Sequence, residues 1–131
     1  MKLYNSFKTL ILEMVADESI TDAIRNKKIV TIYYLGDENE GKGYRDIEIY
    51  TFGISTAGNK VISAYQLGGA SKTASDGTQP LPGWRTFRLD RISTYKPTLD
   101  KFTEPRQGFN PNGHKKFSKI LKIFKREEWT V

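Results

Sequence analysis

The chain has no cysteine and a single histidine, His114. Disulfides, thiolate catalysis and cysteine-ligated zinc are excluded, as is any metal site built on a histidine pair. No apolar run approaches the roughly 18 residues that a membrane helix requires. Met1 to Ser6 lack the long apolar core of a secretory signal. The turn from Gly36 to Gly43 is rich in glycine but acidic, without the Gly-Lys-Ser/Thr ending of a phosphate loop. His114 lies in a Pro/Gly-rich stretch, with nothing nearby to build a Ser-His-Asp arrangement. The paired acids Asp46/Glu48 and Glu38/Glu40 alternate as solvated strand faces do. The expectation is a protein that is not an enzyme, needs no metal or cofactor, avoids membranes and resides in a prokaryotic cytoplasm, bacterial or phage-encoded.

Acidic residues are scarce at one end. The net charge is +6 over 131 residues, and residues 105–131 carry seven basic side chains against two acidic ones. A basic excess of this kind suits a polyanion or an acidic protein face, and equally a solvated helix face. With 37% hydrophobic residues, the length suits one domain around one core.

Leu3, Phe7, Leu10, Ile11, Met14 and Val15 recur at helical spacing and predict an amphipathic helix over 4–16. A second short helix is expected from Ser19 as cap, burying Ile20, Ala23 and Ile24. Ile29 to Leu35 is β-branched and aromatic, hence a strand. Arg45 to Ile54 forms the next strand, and its alternation shifts in a way that predicts a bulge near Tyr50 to Gly53. Lys60 to Leu67 forms the third. Residues 68–83 have little to bury and read as a disordered or inserted loop more than as a lid. Ile92 to Lys96 should end at Pro97. Phe117, Ile120, Leu121 and Phe124 fall at i, i+3, i+4 and i+7, predicting a C-terminal basic amphipathic helix. Its polar side would carry Lys115, Lys116, Lys119, Lys122, Lys125 and Arg126, a secondary basic surface able to neutralise phosphates. The fold class expected is α+β, mainly β: a small, strongly bent antiparallel sheet or barrel of about five strands, with helices at both ends. The organisation expected is an N-terminal helix over 1–18, a β domain over 19–104 and a basic extension over 105–131.

The stretch from Gly83 to Ile92 organises the rest. Read as one strand, it puts Arg85, Phe87, Leu89 and Arg91 on one face. Phe87 and Leu89 suit a core. Arginines do not, because a guanidinium is almost never buried unpaired. Either Asp46, Glu48 or Asp90 pairs with them, or they bind something anionic.

Three pieces of the chain resemble a WYL domain, a ligand-sensing module of prokaryotic transcription regulators. The first is Ile20-x-x-Ala23-Ile24 followed by Val30 to Tyr34. The second is Arg45 opening the next strand, ahead of a glycine-bearing turn. The third is Arg85-x-Phe87-Arg88-Leu89-Asp90-Arg91-Ile92, close to the family's arginine signature. The resemblance covers residues 20–102 and implies an Sm- or SH3-like barrel with an arginine- and tyrosine-lined pocket for nucleic acid or nucleotide-like ligands. Lys60-Val61-Ile62 stands where the family's Trp-Tyr-Leu triplet falls, so the implied module is a divergent, stand-alone copy.

The expected site is Arg45, Arg85 and Arg91, with Tyr34 and Tyr65 to stack or hydrogen-bond. Guanidinium forks grip phosphate bidentately, and tyrosine rings stack on bases of any sequence. The expected partner is nucleic acid or a nucleotide-like anion. The alternative is a structural or adaptor protein that docks on a protein partner, or on itself as a homo-oligomer, through its terminal helices.

Overall fold

A computed structural model describes residues 15–36, 41–75, 77 and 79–126. The helix expected over 4–16 falls almost wholly on residues 1–14, outside the described residues. Helix α1 (Asp17–Arg25) starts two residues before Ser19, with Ala16 as its cap and no side-chain capping bond. Asp17 and Glu18 sit in its first turn, where carboxylates oppose the positive end of the helix dipole without a hydroxyl cap. Ile20, Ala23 and Ile24 are buried, as their spacing predicts.

Six antiparallel strands follow among the described residues: β1 (Lys28–Tyr34), β2 (Gly43–Ser55), β3 (Lys60–Gly69), β4 (Gly83–Arg88), β5 (Ile92–Lys101) and β6 (Phe117–Ile123). A one-turn helix α2 (Lys72–Ser75) lies in the loop between β3 and β4. The strand order is β4-β3-β2-β1-β5, with β6 also on β2. Among the described residues the sheet is open: its two ends, β4 and β5, do not pair with each other.

Strand β2 spans the whole arrangement. Residues 43–48 pair with β1 and residues 51–55 with β6, while β3 runs along the opposite edge. The bulge falls where expected: Ile49 opposes Ala64, Thr51 opposes Ser63, and Tyr50 is the extra residue. The extra residue keeps Ile47, Ile49 and Phe52 on one face and puts Tyr50 on the other. The inner face buries Val30, Ile32, Ile47, Ile49, Phe52, Ile62 and Phe87. On the outer face Tyr50 sits 5.0–5.3 Å, ring to ring, from Trp84, Phe102, Phe109 and Phe124. The segment after β5 therefore folds back over the sheet through aromatic contacts.

Three expectations are corrected. Residues 117–123 form β6, not a helix. Seven residues are too few for an isolated helix to gain much, whereas β2 offers an unpaired edge beyond the point where β1 leaves it. Gly53 permits this approach, since a Cβ there would collide with the Lys119 carbonyl and the Phe117 ring. Strand β5 continues through Pro97 to Lys101, because it is an edge strand whose outer side needs no amide donor. The stretch from Gly83 to Ile92 is not one strand: a 3-10 turn over Leu89–Arg91 divides it and ends the alternation that put Arg91 beside Arg85. No helix among the described residues is long and apolar enough to cross a membrane.

Candidate functional site

Arg45 lies on the inner face at the end of β2, opposite Ile32 of β1 and Gly69 of β3. It is only 6% exposed. Its guanidinium stands 5.0 Å from the Tyr34 ring centroid and 5.3 Å from that of Phe87. One amino group donates to Gln66 Oε1 at 3.3 Å and the other to the Gly41 carbonyl. Gln66 is itself fixed, its amide donating to the carbonyls of Gly68 (3.1 Å) and Ala70 (2.9 Å). Tyr34 is a core residue here. Its ring meets Phe87 edge-on at 4.9 Å, and its hydroxyl accepts the Arg88 amide at 3.1 Å.

Arg85 shares this face through β4, where it opposes Ala64. It donates to the Trp84 carbonyl at 2.9 Å, the Gln79 carbonyl at 2.7 Å and Ser71 Oγ at 3.4 Å. The described part of the 68–83 loop is thus tied to the sheet by an arginine. Among the described residues no carboxylate pairs with Arg45 or Arg85. The Nε of each is buried without a hydrogen-bond partner. Burial, reinforced by the nearby Arg85 charge and opposed by Tyr34, lowers the Arg45 pKa from its ordinary value. Burial likewise lowers that of Arg85. Arginine stays charged at neutral pH, so Arg45 and Arg85 are two neighbouring cations whose described hydrogen-bond partners are all neutral oxygens. Such a corner favours an anion electrostatically.

Among the described residues, the carboxylates of β2 and of the 3-10 turn are engaged elsewhere. Glu48 is fully buried, which corrects the expectation of a solvated acid pair. It accepts two bonds from Arg106, from Nε and Nη2, both 2.9 Å, and a third from the Tyr50 hydroxyl at 2.8 Å. Burial first, then Glu48, raises the Tyr50 pKa well above the ordinary tyrosine value, and the bond to Glu48 raises that of Arg106. Asp90 holds Arg88 at 2.6 Å, and Asp46 accepts the Thr31 hydroxyl at 2.7 Å.

The remaining candidates separate. Arg91 sits in the 3-10 turn, where its side chain donates to the Gly36 carbonyl at 3.3 Å and its own carbonyl accepts the Leu35 amide. Tyr65 belongs to the outer face, 5.5 Å from Trp84 and under the Arg106 guanidinium at 5.1 Å. The six cations near the C-terminus do not share a helix face. Lys119 and Lys122 lie within β6, opposite Ile54 and Phe52 of β2 with a register shift between them, and Arg126 pairs with Glu104 at 2.8 Å. Sequence reasoning missed the Glu48–Arg106–Tyr50 clamp. One signal was available: Glu48 lies between Ile47 and Ile49 in a strand destined for burial. Nothing singles out Arg106.

No protein-family model matches the chain, and no curated protein sequence matches it. Among solved structures it is similar to proteasome accessory factor B/C (PafBC) of Arthrobacter aurescens, at 18% identity and a TM-score of 0.53. The match covers 72% of this chain and 13% of that one, so this chain spans a small fraction of its neighbour's length. PafBC contains a WYL domain, and the likeness supports a WYL-like fold for this chain.

Proposed function

We propose that this protein is a non-catalytic binding module that takes nucleic acid or a nucleotide-like anion at the Arg45–Arg85 corner and regulates transcription or another nucleic-acid process. The WYL-like fold supports the reading. The observation that carries it is the pair of guanidinium groups on one face with no carboxylate partner among the described residues. A phosphate beside them would accept the donors left over and relieve their mutual repulsion. Arg91 would extend the positive potential along the turn. Tyr34 acts in this reading as a platform beneath Arg45, and Tyr65 as a stacking surface on the other face.

The test is fluorescence anisotropy of labelled single-stranded DNA and RNA at low and moderate salt. Wild type should bind at low salt and weaken as salt rises. Arg85→Ala and Arg45→Met should each lower the affinity by about tenfold or more, the scale of one lost charge-assisted contact. Absence of binding at low salt, or unchanged binding in both variants, overturns the reading. A second reading, a protein-docking module, draws on the exposed Ile120 and Leu121 of β6. It predicts self-association visible by light scattering and indifferent to oligonucleotide.

A further inference from the structure

A second recess lies on the opposite face of the sheet. It is an open cleft of about 560 Å³, between the β2–β3–β4 surface and the segment from Gly108 to Lys116. That volume is in the range of small-molecule sites. Its floor is a row of hydroxyls in register across three strands: Thr51 of β2 opposes Ser63 of β3, which opposes Thr86 of β4.

Thr51 is 3% exposed and Ser63 8%. Among the described residues neither hydroxyl takes part in a hydrogen bond. Neither belongs to the side-chain atoms sealed from water without a partner, which among the described residues are the Nε atoms of Arg45 and Arg85. The two hydroxyls therefore open into the cleft from otherwise buried side chains. Each can donate one hydrogen bond and accept two, and a buried hydroxyl left without a partner is destabilising. A protein interior would ordinarily place valine or alanine at such strand positions.

The walls complement this floor. The flat apolar surfaces of Trp84 and Phe109 line the cleft, and the Trp84 indole is anchored by donating to the Gln107 carbonyl at 2.8 Å. Lys116 and Arg85 contribute the charge, and no carboxylate is among the described lining residues. His114 accepts the Lys116 amide at Nδ1, 3.3 Å away, which puts the ring proton of the neutral form on Nε2. Burial, then the Lys116 charge, lowers the His114 pKa and favours that neutral form.

We propose that this cleft binds a phosphorylated sugar, free or as part of a mononucleotide. The Thr51–Ser63–Thr86 row reads the sugar hydroxyls, the ring lies against Trp84 or Phe109, and the phosphate meets Lys116 and Arg85. Hydroxyls that both donate and accept match a polyol better than they match an apolar or purely anionic ligand. The site uses a different sheet face from the Arg45 corner and shares only Arg85 with it.

Isothermal titration calorimetry of the full chain with ribose 5-phosphate, adenosine monophosphate and ribose tests the assignment. Saturable binding of one or both phosphates, and much weaker binding of ribose, is expected. Equal affinities for the two phosphates identify the sugar phosphate as the recognised unit, and binding of the nucleotide alone identifies a mononucleotide. The isosteric double variant Thr51→Val/Ser63→Ala should keep its thermal unfolding transition and lose about tenfold or more in affinity. Lys116→Gln, at an exposed position, should weaken binding and flatten its salt dependence. Arg45→Met should leave cleft binding within about twofold while lowering oligonucleotide affinity, which separates failure of this site from failure of the arginine corner. No saturable binding of either phosphate overturns the proposal. So does binding unchanged in the double variant and in Lys116→Gln, or binding abolished by Arg45→Met alone.

Discussion

Arg45 and Arg106 stand in nearly the same aromatic setting and have opposite electrostatic fates. Each guanidinium lies about 5 Å from a tyrosine ring, Arg45 over Tyr34 on the inner face and Arg106 over Tyr65 on the outer face. Arg106 is gripped through two nitrogens by a buried carboxylate that is also bonded to a tyrosine hydroxyl. Arg45 meets an amide oxygen and a backbone carbonyl, with a second arginine nearby. The difference traces to strand parity. Glu48 and Arg45 are three apart on β2, so they point to opposite faces, and the one buried acid of that strand cannot reach Arg45. The outer arginine completes the fold. The inner pair leaves a charge for which the described residues offer no counter-ion.

The sharpest way to break this comparison is to remove Arg106. Arg106→Ala strands the Glu48 carboxylate in a buried site. Losing one partner of a fully buried ion pair typically costs about 3–5 kcal/mol. The Arg106 side chain is 45% exposed, so water can enter its place and reduce the penalty. A loss of about 2–3 kcal/mol is expected, read from the urea midpoint at constant slope. A loss below about 0.5 kcal/mol, the scale of an ordinary surface substitution, would show that the clamp does not hold the outer layer.

The inner arginine should behave in the opposite sense. Arg45→Met keeps an unbranched side chain against Tyr34 and Phe87 while removing a charge that repels Arg85. Stability should change by less than about 1 kcal/mol, because lost hydrogen bonds to neutral oxygens offset the relieved repulsion. Inorganic phosphate should raise the melting temperature of wild type above that in chloride at equal ionic strength, by linkage to the folded state. The same phosphate should raise that of Arg45→Met less. Equal increments in the two proteins would locate anion binding away from this corner.

The strands were legible from local pattern, since β1, β2 and β3 combine β-branched composition with clear turns. Even the bulge showed, because a change of parity within one apolar run has few other causes. The C-terminal strand was not legible. Phe117, Ile120, Leu121 and Phe124 satisfy a helical stripe, and only the open edge of β2 beyond Glu48 decides for pairing. Ser19 misled as a helix cap because the acidic pair before it meets the dipole directly. The expected site groups Arg45, Arg85 and Arg91, and the 3-10 turn ends the alternation that joined Arg91 to Arg85. Whether an arginine is quenched depends on acids distant in sequence. Glu48 and Arg106 are 58 residues apart, and no local pattern links them.

The smallest expected effect concerns acid. Among the described residues the outer face carries His114, whose pKa is lowered by burial and by the Lys116 charge. The Phe117 ring that packs against it is uncharged. In the unfolded chain the imidazole should titrate near its ordinary value of about 6.5. The unfolded state then binds more protons than the folded one between the lowered value and about pH 6.5. Stability from this group is therefore complete above about pH 6.5 and declines as pH falls through the folded value. The arginine corner has no group that titrates there, so the dependence should belong to the outer face alone. Urea midpoints at pH 7.5 and 5.5 should converge in His114→Gln and differ in wild type. Parallel losses in both proteins would assign the acid sensitivity to carboxylates and leave His114 without a part in it.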